Sequence, residues 1–312
     1  VASGPVSFMK VYDASTEAVK QGGTRRGANM GILRVDHPDI EEFIRCKADT
    51  DEVTNFNISV AITDAFMAAV REGGDYDLVN PRTGEVEETR DAREIFDLIV
   101  HHAWKTGEPG VFFIDEANRT NPVPHLGDYE STNPCGEQNL LPYDVCNLGS
   151  INVGAFVRED VEADDWRERI DWEALGEVAK VSTHFLDNVI DANSFPLAEI
   201  DDLALRIRRI GNGVMGFADL LVRMGIPYDS EEGVEVGREL QRFLTNKERE
   251  ASHELALQRG AFPEWEQSIW GPDATCARDE NGERIRPERL VRNCNINTVA
   301  PTGTISIIAG CS

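Results

Sequence analysis

Segments with the two-residue alternation of a strand are repeatedly followed by segments with helical spacing, and this alternation limits the fold more than any other feature of the chain. "NFNISVAIT" (55–63) is β-rich and alternating, and it feeds a helix predicted from Asp64 to about Glu72. "DAREIFDLIVHHAWKTG" (91–107) opens on an Asp cap and closes at Gly107, after which "GVFFID" (110–115) reads as a buried strand. The same order recurs where "VCNLGSINV" (145–153) precedes the amphipathic "DWEALGEVAKVSTHFLDNVID" (171–191). "HPDIEEFIRCKAD" (37–49) is helical by the spacing of Ile40, Phe43 and Ile44, "RRIGNGVMGFADLLVRMGI" (208–226) runs from a glycine-broken segment into a helix, and 230–260 is the longest helical run. Such alternation favours parallel strand pairing in an α/β fold. No repeat, low-complexity tract or linker interrupts it, so one continuous domain is expected, with 155–170 and 273–290 as solvated excursions.

At 312 residues and 41% hydrophobic content the chain can bury a substantial core. No apolar run approaches the ~18 residues of a membrane span and no leader is evident, which argues against export. The start "VASGPVSFMK" and the end "TISIIAGCS" suggest an internal piece of a longer protein. With 31 basic and 56 acidic residues the formal charge is −25, so nucleic acid and anionic membranes are poor partners. This acidic, Lys-poor surface fits either salt adaptation or an ordinary acidic cytosolic enzyme. The six cysteines (46, 135, 146, 276, 294, 311) form no C-x-x-C pair, which disfavours a zinc ribbon or a disulfide framework and makes a reducing cytoplasm the expected location. The six histidines show no metal-ligand spacing; no metal site is expected, and His101-His102 reads as packing.

Cys135 and Cys146 stand out in "STNPCGEQNLLPYDVCNLGS" (131–150). Asn133, Cys135 and Glu137 are spaced i, i+2, i+4, with Pro134 and Gly136 between them disfavouring a helix. An extended segment would line amide, thiol and carboxylate along one face. The competing reading is a plain N-P-x-G turn with a small buried cysteine.

"STNPCGEQNLLPYDVCNLGSIN" closely resembles the finger loop and following strand of ribonucleotide reductases, in particular the adenosylcobalamin-dependent class II form. "GPVSFMKVYDASTEAVKQGGTRRGANMGIL" (4–33), "RRIGNGVMGFADLL" (208–221) and "NTVAPTGTISIIAGCS" (297–312) match in family order. The resemblance implies a ten-stranded α/β barrel with an inner finger loop, and reduction of ribonucleotides, as diphosphates, to deoxyribonucleotides. It implies Cys135 as the thiyl-radical residue generated with adenosylcobalamin, Glu137 as the group taking the 3′-hydroxyl proton, and Asn133 as the holder of the sugar hydroxyls. Cys146 matches one of two cysteines that close to a disulfide during turnover. The other lies on an earlier strand in the family, and Cys46 on its helix does not match it; the piece alone is therefore expected not to turn over.

By the same resemblance Thr302, Gly303, Thr304, Ile305 and Ser306 in "APTGTIS" grip the substrate phosphates. Gly22, Gly23, Thr24, Arg25, Arg26, Gly27, Ala28 and Asn29 form the specificity loop that reports the dNTP or ATP effector. Taken alone, the first stretch is a weak anion nest without G-K-[ST], and the second a glycine-rich turn. A thioredoxin-like reductant and a homodimer are the expected partners. The alternatives are a class I large subunit, using a radical delivered by a partner, and a non-catalytic nucleotide-binding paralogue. The second of these would not be expected to keep Asn133, Cys135, Glu137 and Cys146 together.

Overall fold

The computed structural model describes residues 4–21, 25–49 and 51–312, and the chain divides into two compact units, 1–120 with 128–141 and 121–127 with 142–312.

The first unit opens with helix α1 (Gly4–Ala18) and the two-residue strands β1 (Lys20–Gln21) and β2 (Arg25–Arg26), which pair antiparallel. Strand β3 (Asn29–Arg34), helix α2 (Ile40–Arg45), strand β4 (Phe56–Ile62) and helix α3 (Asp64–Glu72) follow. An antiparallel pair, β5 (Asp75–Val79) and β6 (Val86–Asp91), leads to α4 (Ala92–Thr106), β7 (Gly110–Phe113) and α5 (Ile114–Arg119). Strands β3, β4 and β7 form a parallel sheet with β4 in the middle. The helix starts agree with their caps: Thr63 accepts the Phe66 N–H ahead of α3, and Asp91 accepts from Arg93 and Glu94 ahead of α4. Phe43, Ile44, Ile58, Ile62, Phe66 and Ile95 are buried in one core between the sheet and its helices.

Three expectations are corrected here. The helix predicted over 37–49 is confined to Ile40–Arg45, because His37–Asp39 turn into it and the chain turns again after Cys46. The strand at 110–115 stops at Phe113 and is not buried: among the described residues β7 has one hydrogen-bonded neighbour, and Val111 and Phe113 are about half exposed. The excursion at 155–170 is anchored by the buried side chains of Trp166 and Ile170. Of the His101-His102 pair expected to pack, His102 is buried and in edge contact with His101, whereas His101 itself is exposed.

In the first unit, β8 (Ser131–Thr132) and β9 (Asn139–Leu140) pair antiparallel as a hairpin. In the second unit β10 (Asn147–Asn152) is followed by α6 (Trp172–Ala192), α7 (Ala198–Ile207), β11 (Ile210–Met215), α8 (Phe217–Met224), the 29-residue α9 (Glu231–Arg259) and α10 (Gly303–Ala309). Strands β10 and β11 pair in parallel, and a parallel bridge joins Asn212 to Asn297. Leu175, Ala179, Leu220, Leu221, Val236 and Leu240 bury the helices against this pair. Thus the glycine-broken segment is a strand, because its glycines are where a neighbour crosses closely: a Cβ on Gly213 would lie 2.2 Å from the Thr298 carbonyl oxygen.

Gly213→Ala is expected to destabilise the protein by about 2–3 kcal/mol, since backbone rather than a flexible side chain must move. Denaturant unfolding of the variant beside wild type checks this, and an unchanged midpoint would show that 297–299 yields freely.

Candidate active site

The hairpin sets the geometry of the first three candidate residues. Pro134 and Cys135 occupy the middle of a turn in which the Gly136 N–H donates to the Asn133 carbonyl at 3.0 Å, and Gly136 has φ +82°. Asn at the first position, Pro at the second and Gly at the fourth are the residues such a turn prefers. The extended arrangement expected for 133–137 is therefore corrected: proline's fixed φ and the left-handed glycine close the chain into a tip. The tip exposes Cys135 and leaves Asn133 and Glu137 half-buried on either side of it.

Asn133 also braces the hairpin, for its Oδ1 accepts the Gln138 N–H at 3.0 Å. That leaves the amide Nδ2 as the end suited to donate outward. Two further asparagines, which the sequence reading did not single out, hold the hairpin within its unit. Asn57 of β4 donates to the Pro134 carbonyl at 2.5 Å, and Asn118 holds Tyr129 by accepting its N–H at 2.7 Å and donating to its carbonyl at 3.1 Å. Asn57 lies in the strand-forming 55–63 pattern, which gave no sign of a long-range partner. An open cavity of about 940 Å³ runs beside β3 and the hairpin's first strand, with Met30, Ile32, Arg34, Asp115, Glu130 and Ser131 among its walls.

Cys146, in the second unit, immediately precedes β10 and is half-buried. Two residues before it, Asp144 meets Arg209 Nε at 2.9 Å with both side chains fully buried. An ion pair this deep is retained only when both members are present, so it fixes the approach to β10 against the start of β11. The other cysteines lie elsewhere. Burial pushes the Cys46 thiol up to about 11 and the Cys294 thiol up to about 12, which keeps both protonated and unreactive as thiolates.

The 300–306 stretch forms the entry to α10. Thr302 caps it in a left-handed conformation at φ +57°, a strain of about 1–2 kcal/mol for a side chain with a Cβ. Its carbonyl accepts the Ser306 N–H at 2.8 Å; Ser306 is buried, whereas Gly303, Thr304 and Ile305 are exposed. Behind the stretch stands a buried group missed from sequence, Glu248 of α9, which offers no local motif. Asn212 donates to Glu248 Oε1 at 2.7 Å, and Asn297 donates to Oε2. Asn212 in turn accepts from Ser182 at 2.9 Å, so one carboxylate links α9, β11, α6 and the segment leading to Thr302. Burial pushes the Glu248 carboxyl up to about 7, although both amides favour the ionised form.

Of the proposed specificity loop, Gly22, Gly23 and Thr24 lie outside the described residues. Arg25 pairs through its backbone with Gln21, Arg26 Nε is 3.6 Å from Glu17, Gly27 packs beside Thr16, Ala28 is exposed, and Asn29 donates to Thr16 Oγ1 at 2.7 Å. Arg26, Gly27 and Asn29 are thus fastened to α1.

A protein-family model for the ribonucleotide reductase barrel domain matches residues 1–312. The chain belongs to that family. It is 50% identical over 313 residues to the vitamin B12-dependent ribonucleoside-diphosphate reductase of Thermoplasma acidophilum, which covers 100% of this chain and 38% of that protein. It is 47% identical over 310 residues to the protein of the same description from Mycobacterium tuberculosis, covering 99% of this chain and 42% of the relative. A vitamin B12-dependent ribonucleotide reductase of Streptomyces avermitilis is 31% identical over 359 residues. The chain therefore spans about two-fifths of the length of these curated relatives.

Because its folded pKa lies above the usual carboxylate value, Glu248 supports the fold fully below about pH 4.5 and progressively less as pH rises through about 7. Measured against Glu248→Gln, the stability of wild type is expected to fall by about 3 kcal/mol between pH 4.5 and pH 8. Denaturant titrations of both proteins at each pH check this; a pH-independent difference would place the carboxyl in a wetter setting.

Proposed function

We propose that residues 1–312 are part of one catalytic domain, a ten-stranded α/β barrel, of an adenosylcobalamin-dependent ribonucleoside-diphosphate reductase that supplies deoxyribonucleotides for DNA synthesis. The observation that carries this reading is the hairpin tip, which presents an exposed thiol between an amide and a carboxylate within five residues. The relatives' dependence on vitamin B12 supports the class II form over a class I large subunit.

The tip suits the cofactor: Cys135 is exposed, and beyond its own chain neighbours nothing lies within 4 Å of where a Gly136 Cβ would be, which leaves room for a large group beside the tip. Cys135 is the residue that would meet it. When bound, adenosylcobalamin supplies a weak cobalt–carbon bond whose homolysis starts radical chemistry.

Cys135 would lose its sulfur-bound hydrogen atom to the bound cofactor and, as a thiyl, take the 3′-hydrogen of the ribose, which it returns at the end of the turnover. Glu137 takes the 3′-hydroxyl proton, and Asn133 Nδ2 donates to a sugar hydroxyl while its Oδ1 stays on Gln138. The 2′-hydroxyl leaves as water. Cys146 and a second thiol provide the two electrons and two hydrogens, closing to a disulfide that a thioredoxin-like protein reopens. Thr302, Gly303, Thr304, Ile305 and Ser306 hold the phosphates, and the strained Thr302 backbone is the kind of feature found at ligand clamps. Residues 22–29 transmit the identity of a dNTP or ATP effector in a cytoplasmic homodimer.

In the intact protein, reduction of a ribonucleoside diphosphate is expected only with adenosylcobalamin present. Cys146→Ser is expected to retain exchange of the cofactor's 5′-hydrogens with solvent while losing multiple turnovers with a dithiol. Cobalamin-independent reduction would refute the class, and normal dithiol turnover in the variant would refute the role of Cys146.

A further inference from the structure

Arginines are this chain's main cations, and most near the second unit's core are matched: Arg208 meets Asp187 and Asp191, Arg209 meets Asp144, and Arg284 meets Asp273. Arg249, Arg286 and Arg289 differ. Among the described residues no carboxylate forms an ion pair with any of the three, although the chain carries 56 acidic residues. Yet Arg249 and Arg289 line one cavity, and Arg286 is near enough for its charge to act on Arg249. Arg249 projects from α9, half-buried, with its guanidinium 5.4 Å from the centre of the Trp270 ring. Arg249 and Arg289 share the wall of a surface cavity of about 460 Å³ with His253 and Leu290.

We propose that Arg249, Arg286 and Arg289 form a second anion site, one that takes the di- or triphosphate group of a small molecule. A guanidinium partly removed from water and crowded by others of its own sign is costly unless an anion joins it. Arg249 shows that cost: burial first, then Arg289 and Arg286, hold it below its ordinary value. Guanidinium forks match phosphate oxygens in pairs, and three of them suit an anion of several charges better than one phosphate. The cavity is of small-molecule size.

The site is also shaped to hold such a group. Stacking on Trp270 fixes one arginine. The Arg289 carbonyl accepts from Trp265 Nε1 at 2.8 Å and its N–H donates to the Trp270 carbonyl at 3.0 Å, so the backbone beneath the second is tied at both ends. His253 Nδ1 lies 2.7 Å from the Leu290 carbonyl, which can only accept, so Nδ1 carries the hydrogen and the imidazole is tied to the same backbone. Two carboxylates border the cavity, Glu250 and Glu288, and Glu250 is 3.0 Å from Lys247. They favour a ligand that engages the arginines from the open side.

The test is isothermal titration of the intact protein carrying Gly303→Val, which disables the proposed substrate-phosphate loop, with inorganic tripolyphosphate as the probe. Saturable binding is expected, weakened about tenfold or more by Arg289→Gln and again by Arg286→Gln, both exposed positions where folding is not at stake. Arg71→Gln, on α3 and with no ion pair among the described residues, is expected to leave it unchanged. Equal weakening by Arg71→Gln, or none from the cluster variants, would overturn the proposal. Loss of all binding with Gly303→Val alone would assign the anion to the 300–306 loop and overturn it too. A competition arm separates the sources: displacement by ATP at lower concentration than by pyrophosphate marks a nucleotide, and equal displacement a free polyphosphate. Because this readout is binding, it stands or falls independently of the reductase reading.

Discussion

The second unit depends on charges that have been taken out of water. Arg209 and Asp144 are both fully buried and lie 2.9 Å apart, and losing either would strand the other at a cost of about 3–5 kcal/mol. Beside them the wholly buried Asp187 receives Arg208 at 2.9 Å and Asn293 at 3.0 Å, with Arg259 and Arg292 a little farther away. Such contacts add little net stability over a hydrophobic core, but they tolerate only one alignment of the segments that bear them. The aligned segments here are the approach to Cys146, strand β11, and the stretch running to Thr302. The groups proposed to reduce the substrate and to hold its phosphates thus inherit their places from the same ionic core.

In the first unit the comparable constraint is neutral and local. A two-residue strand pair is too short to hold a loop by itself, so the hairpin relies on asparagines: Asn133 within the turn, Asn57 from β4 and Asn118 from α5. Asparagine can accept and donate at once, which suits it to clamping backbone that has left its ladder. The result is a thiol that is exposed yet held at a defined tip, as the hydrogen-atom transfer proposed for it would require.

Much of this was legible from the chain itself where local chemistry decides. Asp64–Glu72 and Ala92–Thr106 lie where their caps and glycines put them, and β4 spans 56–62 within the expected 55–63. The candidate Asn, Cys and Glu could be picked out from their clustering, but their arrangement was misread, because Pro134 and Gly136 act jointly as turn residues rather than as breaks in a helix. Failures elsewhere share a long-range cause. Gly211 and Gly213 look like strand breakers until Thr298 is seen crossing against them, and Glu248 looks like one more acid on an amphipathic helix until Asn212 and Asn297 close on it. Apolar Val111 and Phe113 mark a strand but do not reveal how many neighbours it has.

The central claim is that the tip sulfur carries the hydrogen atom. The most direct measurement is exchange of tritium between water and the 5′-hydrogens of adenosylcobalamin in the intact protein, wild type against Cys135→Ser. Serine keeps the shape of the tip, but its O–H bond is too strong to give up hydrogen in this way. Exchange is expected in wild type and abolished in the variant, together with all nucleotide reduction. Exchange that survives Cys135→Ser would contradict the assignment.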